Sequence, residues 1–166
     1  SPTSLTLPLD YPRDPNRTRR AVYLPVKLDK RTVQALEQLA KQEGTTLFTV
    51  LLAAYGAMLG RIAGQDDVVI GAPVAGRIHS DAEALIGFMV NTLAIPLSMN
   101  DGCTGKQLIA RARSSVEEAL IDQDVPFDRL VESLGVARSL SHTPVFQAMF
   151  AFENEQPQPP ALIGLA

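Results

Sequence analysis

The sequence predicts a mixed α/β domain built in layers, with a central sheet flanked by helices. Three observations carry this. Stretches with apolar residues at helical spacing alternate along the chain with short β-branched runs, the order that layered α/β folds show. One of those runs, Val68-Val69-Ile70, is apolar at successive positions, as in a strand covered on both faces. No segment repeats elsewhere in the 166 residues, which sets aside solenoids and propellers.

The elements follow in order. Residues 1–20 read as an extended linker, because Pro2, Pro8, Pro12 and Pro15 favour a polyproline-like path and no periodic apolar face is present. Arg13, Arg17, Arg19 and Arg20 cluster there without interleaved aromatics, so solvation is expected rather than a phosphate-binding arm. Residues 21–27 read as a strand, which Pro25 places at an edge or a bulge. In residues 30–42, Val33, Leu36, Leu39 and Ala40 share one helical face, and Gly44 is a C-terminal stop. Thr45 or Thr46 can cap the next helix, which ends near Gly64 and is expected to be buried all round.

Residues 67–74 form a short strand that Gly71 and Pro73 bend or end. A loop leads from Gly76 to a strand at residues 91–98, where Pro96 marks an edge or an irregularity. Thr104 and Gln107 make a capping box for a helix running to about Ile121. Pro126 sits in the first turn of a shorter helix, with Asp124 as its expected cap. Leu130, Val131 and Leu134 would bury that helix, and Gly135 ends it. Residues 145–152 read as the last strand, with Phe146, Phe150 and Phe152 on one side. Pro157, Pro159 and Pro160 then break the chain, leaving a Pro-rich tail over residues 156–166.

Bulk properties narrow the function classes. The 46% apolar and 20% charged content is that of a globular domain able to bury a core. A net charge of -3 gives no reason to expect nucleic acid or an anionic membrane as partner. The lone Cys103 allows no internal disulfide. The first residues lack the ordered basic region, apolar stretch and cleavage site of a signal peptide, so a cytoplasmic location is expected. Residues 44–60 carry no charge and approach the length of a membrane span, yet Glu43 and Arg61 flank them closely. Gly56 and Gly60 have small-residue spacing, and the expected role is to admit a close neighbour to a core helix.

Chemistry-bearing residues are few. His79 and His142 fall in predicted loops, far from Cys103 in sequence, so no metal site is expected. Ser141 and His142 are adjacent, and sequence neighbours rarely face each other as nucleophile and base. Asp122, Asp124 and Asp128 lack the Gly and distal Glu of a calcium loop, and read as helix-end charges. The glycines at 56, 60 and 64 do not open a phosphate-binding turn. On chemistry alone the chain is an α/β domain with no assigned activity.

Four segments point further. Ile86-Gly87-Phe88-Met89-Val90-Asn91-Thr92-Leu93 resembles an Ile-Gly-x-Phe-Val-Asn-Thr motif, and Gly76-Arg77 with an acidic loop precedes it. Asp122-Gln123-Asp124-Val125-Pro126-Phe127-Asp128 resembles His-Gln-Asp-x-Pro-Phe-Glu, with Asp122 in place of His and Asp128 in place of Glu. Arg138-Ser139-Leu140-Ser141-His142-Thr143-Pro144-Val145-Phe146 resembles Arg-x-x-Ser-x-x-Pro-Leu-Phe, with Val145 in place of Leu. The opening Leu7-Pro8-Leu9-Asp10-Tyr11-Pro12-Arg13 fits the same family. Together, in this order, they resemble the condensation domains of nonribosomal peptide synthetases over about residues 7–152.

That resemblance implies a chloramphenicol acetyltransferase-like lobe of a CoA-dependent acyltransferase-type fold. It divides the chain into an inter-lobe linker at 1–20, a truncated C-terminal lobe at 21–155 and the tail at 156–166. It implies amide formation between thioesters delivered by peptidyl carrier proteins, with substrates tethered through phosphopantetheine and no cofactor bound directly. The family's catalytic paired-histidine motif ends in Asp-Gly and lies upstream; this sequence has no adjacent His pair. No catalytic residue is therefore expected here, and the isolated chain is expected to be inactive.

Its expected partners are the carrier proteins, the missing N-terminal lobe and neighbouring synthetase domains, with self-association of the isolated lobe through exposed apolar surface. Asn91, Gln123 and Asp124 are the residues expected near the substrate tunnel and lobe interface, or else as turn and cap residues. An epimerisation or cyclisation domain, or a free-standing lobe that only docks carriers or partner chains, remains open at this point.

Overall fold

A computed structural model describes residues 4–11, 21–76, 87, 89–100, 102–136 and 143–153. The readings of His79, His142, the arginines at 13, 17, 19 and 20, and the Pro-rich tail lie outside the described residues.

Each helix starts at a cap the sequence supplies. Helix α1 (Lys30–Gln42) begins after Asp29, whose carboxylate accepts from the Thr32 N–H and from the Thr32 hydroxyl, both at 2.8 Å. The Thr32 backbone bond, then its hydroxyl, hold the Asp29 carboxyl below its ordinary pKa. Helix α2 (Leu47–Ala63) starts at Thr46, whose hydroxyl accepts from the Thr49 N–H at 3.2 Å. It stops at Gly64, where φ is +63°.

Strand β1 (Asp67–Val74) pairs antiparallel with β2 (Asn91–Ser98), with Val74 opposite Asn91 at one end and Asp67 opposite Ser98 at the other. Helix α3 (Gly105–Ile121) follows a complete Thr104–Gln107 capping box. Helix α4 (Phe127–Leu134) ends at Gly135, φ +59°. Strand β3 (Ala148–Met149) lies parallel to β1, and the sheet order is β2-β1-β3. The described sheet is thus mixed, and Pro96 sits on β2, one of its edge strands.

Alternation along β1 and β2 divides the sheet into two faces. Ile70, Leu93, Ile95 and Leu97 point to one face, where α2 and α3 cover them with Leu52, Ala53, Ile109 and Ala112. Gly56 and Gly60 make this approach possible: a Cβ at Gly56 would overlap the Leu97 side chain, and one at Gly60 would overlap Met99. The close neighbour these glycines admit is therefore the β2 end of the sheet. Val69 and Ala94 point to the other face, where α4 and Phe146 form a smaller cluster with Val131 and Phe127.

Several expectations are corrected. Residues 21–28 form no strand; Val22, Leu24 and Val26 are 81–85% exposed. A strand needs a backbone partner, and none of the described strands pairs with this segment. The last strand shrinks to Ala148–Met149 because Val145 has φ +68° and turns the chain just before it. Phe146 and Phe150 consequently serve different clusters, Phe150 packing near Phe48 and Tyr55 beside α2. Strand β1, by contrast, has the bounds expected of it, and Gly71 and Pro73 lie within it.

Helix α2 is not buried all round, since Met58 and Ile62 are about half exposed. Leu134 of α4 is also exposed. No single helix among the described residues is long and apolar enough to cross a membrane; α1 and α2 together pass by length and composition, but are bent by 105° at their break.

The start of the expected linker is anchored to the core. Leu5 is buried, and Leu7 packs against the main core. The Gln65 carboxamide brackets the segment, accepting from the Thr6 N–H at 2.8 Å and donating to the Ser4 carbonyl at 3.1 Å.

Candidate functional site

Helix α3 lies on one face of the sheet and α4 on the other, so the turn between them must carry the chain past the edge strand β2. Residues 122–126 make that crossing, and Asn91, the first residue of β2, holds it. The Asn91 Nδ2 donates to the Gln123 carbonyl at 2.7 Å and to the Val125 carbonyl at 2.8 Å. Its Oδ1 accepts from the Phe127 N–H at 3.3 Å. Two donors and one acceptor are engaged on one short side chain, a set that only a primary carboxamide of this length offers.

The acceptor also solves a local problem. Phe127 is the first residue of α4, and its N–H has no partner inside the helix. Pro126 stands at the cap position and offers no side-chain hydrogen bond. Asn91 supplies the missing acceptor from across the sheet. Asp124 is therefore not the cap: its side chain makes no hydrogen bond among the described residues, and it is exposed. The reason is geometric, since the cap position falls on Pro126 and Asp124 sits two residues earlier, in the turn closed by Val125 N–H to Asp122 carbonyl at 3.0 Å.

Beyond the turn, the Phe127 ring lies 5.2 Å from that of Phe146, tilted by 50°. Phe146 is buried and occupies the space beside Gly71 of β1, where a Cβ would overlap its ring. Its position follows from the turn before it: the Phe146 N–H donates to the Pro144 carbonyl at 2.8 Å, closing a tight turn around Val145. A β-branched residue at positive φ is strained backbone.

The neighbouring Gln147 ties this segment to the chain start, donating from Nε2 to the Thr143 carbonyl at 2.9 Å and accepting on Oε1 from the Leu5 N–H at 2.6 Å. Gly76 closes the other end, with φ +53° and its Cα against the Met89 carbonyl.

Of the three residues singled out in the sequence, Asn91 and Gln123 come together, but Gln123 contributes its backbone carbonyl rather than its side chain. Asp124 lies in the same turn and faces solvent. The residues missed were Phe127, Phe146 and Gly71, whose signal was their motif position and, for Gly71, a glycine inside a strand. Among the described residues no three His, Cys, Asp or Glu side chains gather to hold a metal ion. The site is a joint: segments from residues 89–92, 123–127 and 143–147 are bonded or packed into one unit, and the last also holds Leu5.

The chain as a whole is similar to known proteins. The family model described as "Condensation domain" matches residues 2–162. Surfactin synthase subunit 1 of Bacillus subtilis (strain 168) is 43% identical over 162 residues, covering 98% of this chain and 4% of that protein. The chain spans between 2% and 6% of the length of such curated relatives.

Among solved structures, the four-domain nonribosomal peptide synthetase AB3403, bound to AMP and glycine, superposes with a TM-score of 0.87 at 28% identity, covering 92% of this chain and 12% of that one. The X-domain of teicoplanin biosynthesis, solved in complex with OxyB, superposes with a TM-score of 0.83 at 28% identity, covering 88% and 32%. The mixed sheet with its flanking helices is the chloramphenicol acetyltransferase-like lobe that the resemblance implied. With a family model running through nearly all of its length, the chain belongs to the condensation-domain family of nonribosomal peptide synthetases.

Proposed function

We propose that this chain serves as most of the C-terminal lobe of a condensation domain that forms amides between carrier-tethered aminoacyl or peptidyl thioesters. The observation that carries the reading is the joint itself: three segments that resemble condensation-domain motifs are not scattered but meet around one strand end. In this role residues 1–20 lead in from the other lobe, residues 21–155 form the lobe and residues 156–166 lead out. The setting is the cytoplasm.

The reaction has the acceptor amine attack the thioester carbonyl. The C–N bond forms, the C–S bond breaks, and the amine's proton leaves as the thiol departs. Positioning of the amine and stabilisation of the developing charge supply the rate. Peptidyl carrier proteins bring both substrates on phosphopantetheine arms, so this lobe binds no cofactor of its own. Its contribution is tunnel wall and carrier-docking surface, with Asn91 holding the turn that presents Gln123 and Asp124. The base or positioning histidine belongs to the other lobe, since no adjacent His pair occurs in this sequence.

The reading frame upstream of Ser1 tests this. A paired-histidine motif ending in Asp-Gly supports it, whereas paired aspartates there point to cyclisation. The isolated chain, given loaded carriers, should form no amide; turnover would overturn the division of labour. It should also self-associate through exposed residues such as Val22 and Leu24, and a clean monomer by light scattering at micromolar concentration would contradict that.

One observation favours a second reading. The X-domain likeness is to a structure in complex with OxyB, so a partner-binding lobe without chemistry is the alternative. An upstream frame with no histidine motif would select it.

A further inference from the structure

We infer that Asn91 is a positioning residue, a carboxamide clasp that sets where α4 begins on the second face of the sheet and thereby seats Phe127 against Phe146. The geometry points there because both donors of the Asn91 carboxamide and one lone pair of its oxygen are engaged, and all three are spent on backbone atoms of one crossing turn. Gln123 and Val125 have their carbonyls fixed, and Phe127 has its N–H fixed. Three points within five residues define the path of the turn. No other described side chain bonds to these three backbone groups.

The consequence is specific. Aspartate has nearly the same shape as asparagine but no donor, so it would put oxygen against the Gln123 and Val125 carbonyls. Alanine would merely leave the three groups to find water. Asn91→Asp should therefore be at least as damaging as Asn91→Ala, although a role needing only volume or polarity would rank them the other way. Asn91→Ser keeps a short hydroxyl and should be the mildest of the three. Once the turn slips, Phe127 loses its start position in α4, and the Phe146 ring over Gly71 loses its neighbour.

The link from this clasp to amide formation rests on the proposed condensation function; the clasp itself does not. The test separates them by measuring both in the intact synthetase that carries this region. Hydrogen exchange resolves peptides over residues 122–134 and, as a control, over residues 47–63. In Asn91→Ala and Asn91→Asp, exchange at 122–134 should rise about tenfold or more, the factor given by a loss of about 1.4 kcal/mol, while 47–63 stays as in the wild type.

Amide formation with loaded carriers should then lose kcat by a similar factor, with KM for the carriers changed less than about twofold, because the hydrogen bonds of the side chain go to the backbone of the turn. Unchanged exchange at 122–134 in both variants would overturn the clasp, as would full recovery by aspartate. A rise in KM alone, with kcat intact, would also overturn it by placing Asn91 in contact with a carrier or its cargo. Local exchange that rises as expected in a synthetase that never makes an amide would leave the clasp standing and refute the condensation reading. If Asn91→Asp does not fold, Asn91→Ser provides the same comparison at smaller amplitude.

Discussion

The two faces of the sheet are held by different physics. Beneath α2 and α3 the most deeply buried side chains are aliphatic: Leu52, Ile70, Ile95 and Leu97 are all within 2% of full burial. Such packing is non-directional, and its strength follows the area removed from water. Under α4 the buried cluster among the described residues is Val131, Val145 and Phe146, and the missing area is replaced by directional contacts. Those are the Asn91 clasp, the Phe127–Phe146 ring pair and the tight turn at Val145. One face fixes that the chain folds; the other fixes where the three motif-bearing segments lie relative to each other.

Substitutions can break this contrast in a graded way. The largest effect belongs to the first face: Ile70→Ala should cost about 2–5 kcal/mol in chemical unfolding and loosen both layers together. A loss confined to the α4 side would contradict the division. Next, Gly71→Ala puts a methyl where the Phe146 ring sits, and should cost about 1–3 kcal/mol. Its signature is local, with hydrogen exchange rising at residues 143–149 and 127–134 before α2.

Smaller again, Phe146→Leu keeps most of the apolar volume but removes the ring pair, a loss of about 0.5–1.5 kcal/mol. The smallest effect lies far from the joint, at the exposed Asp29 cap. Its carboxyl titrates below the ordinary value in the folded chain, so its contribution is complete above about pH 4. That contribution fades as pH falls through the lower folded value. Asp29→Asn should flatten this part of the stability profile, and an unchanged profile would show the cap to be idle.

Most of the first face was legible in the sequence because its signals are local. The Thr104–Gln107 box, the Thr46 cap and Gly64 each act within a few residues of their own element. Helix α1 and strands β1 and β2 fall where periodicity and punctuation put them. On the second face, helix α4 and its stop at Gly135 were legible locally, but the way its segments are joined was legible only as motifs. Nothing local says that Asn91 will cap a helix 36 residues later, or that Pro126 rather than Asp124 will hold the cap position.

The last strand failed for a related reason. Phe146, Phe150 and Phe152 alternate as a strand should, but the positive φ at Val145 and the pairing of only Ala148 and Met149 with β1 override the pattern. Residues 21–28 failed differently. Their composition suits a strand, and pairing rather than composition decides whether one forms.

The central claim is that segments distant in sequence act as one joint, and a double-mutant cycle between Asn91→Ala and Phe146→Leu tests it most directly. These side chains are linked through Phe127, whose N–H bonds to one and whose ring packs on the other. A coupling energy of at least about 0.5 kcal/mol is the predicted result. Additive losses, within about 0.3 kcal/mol, would mean that the clasp and the ring pair are independent and that the joint is only a coincidence of place.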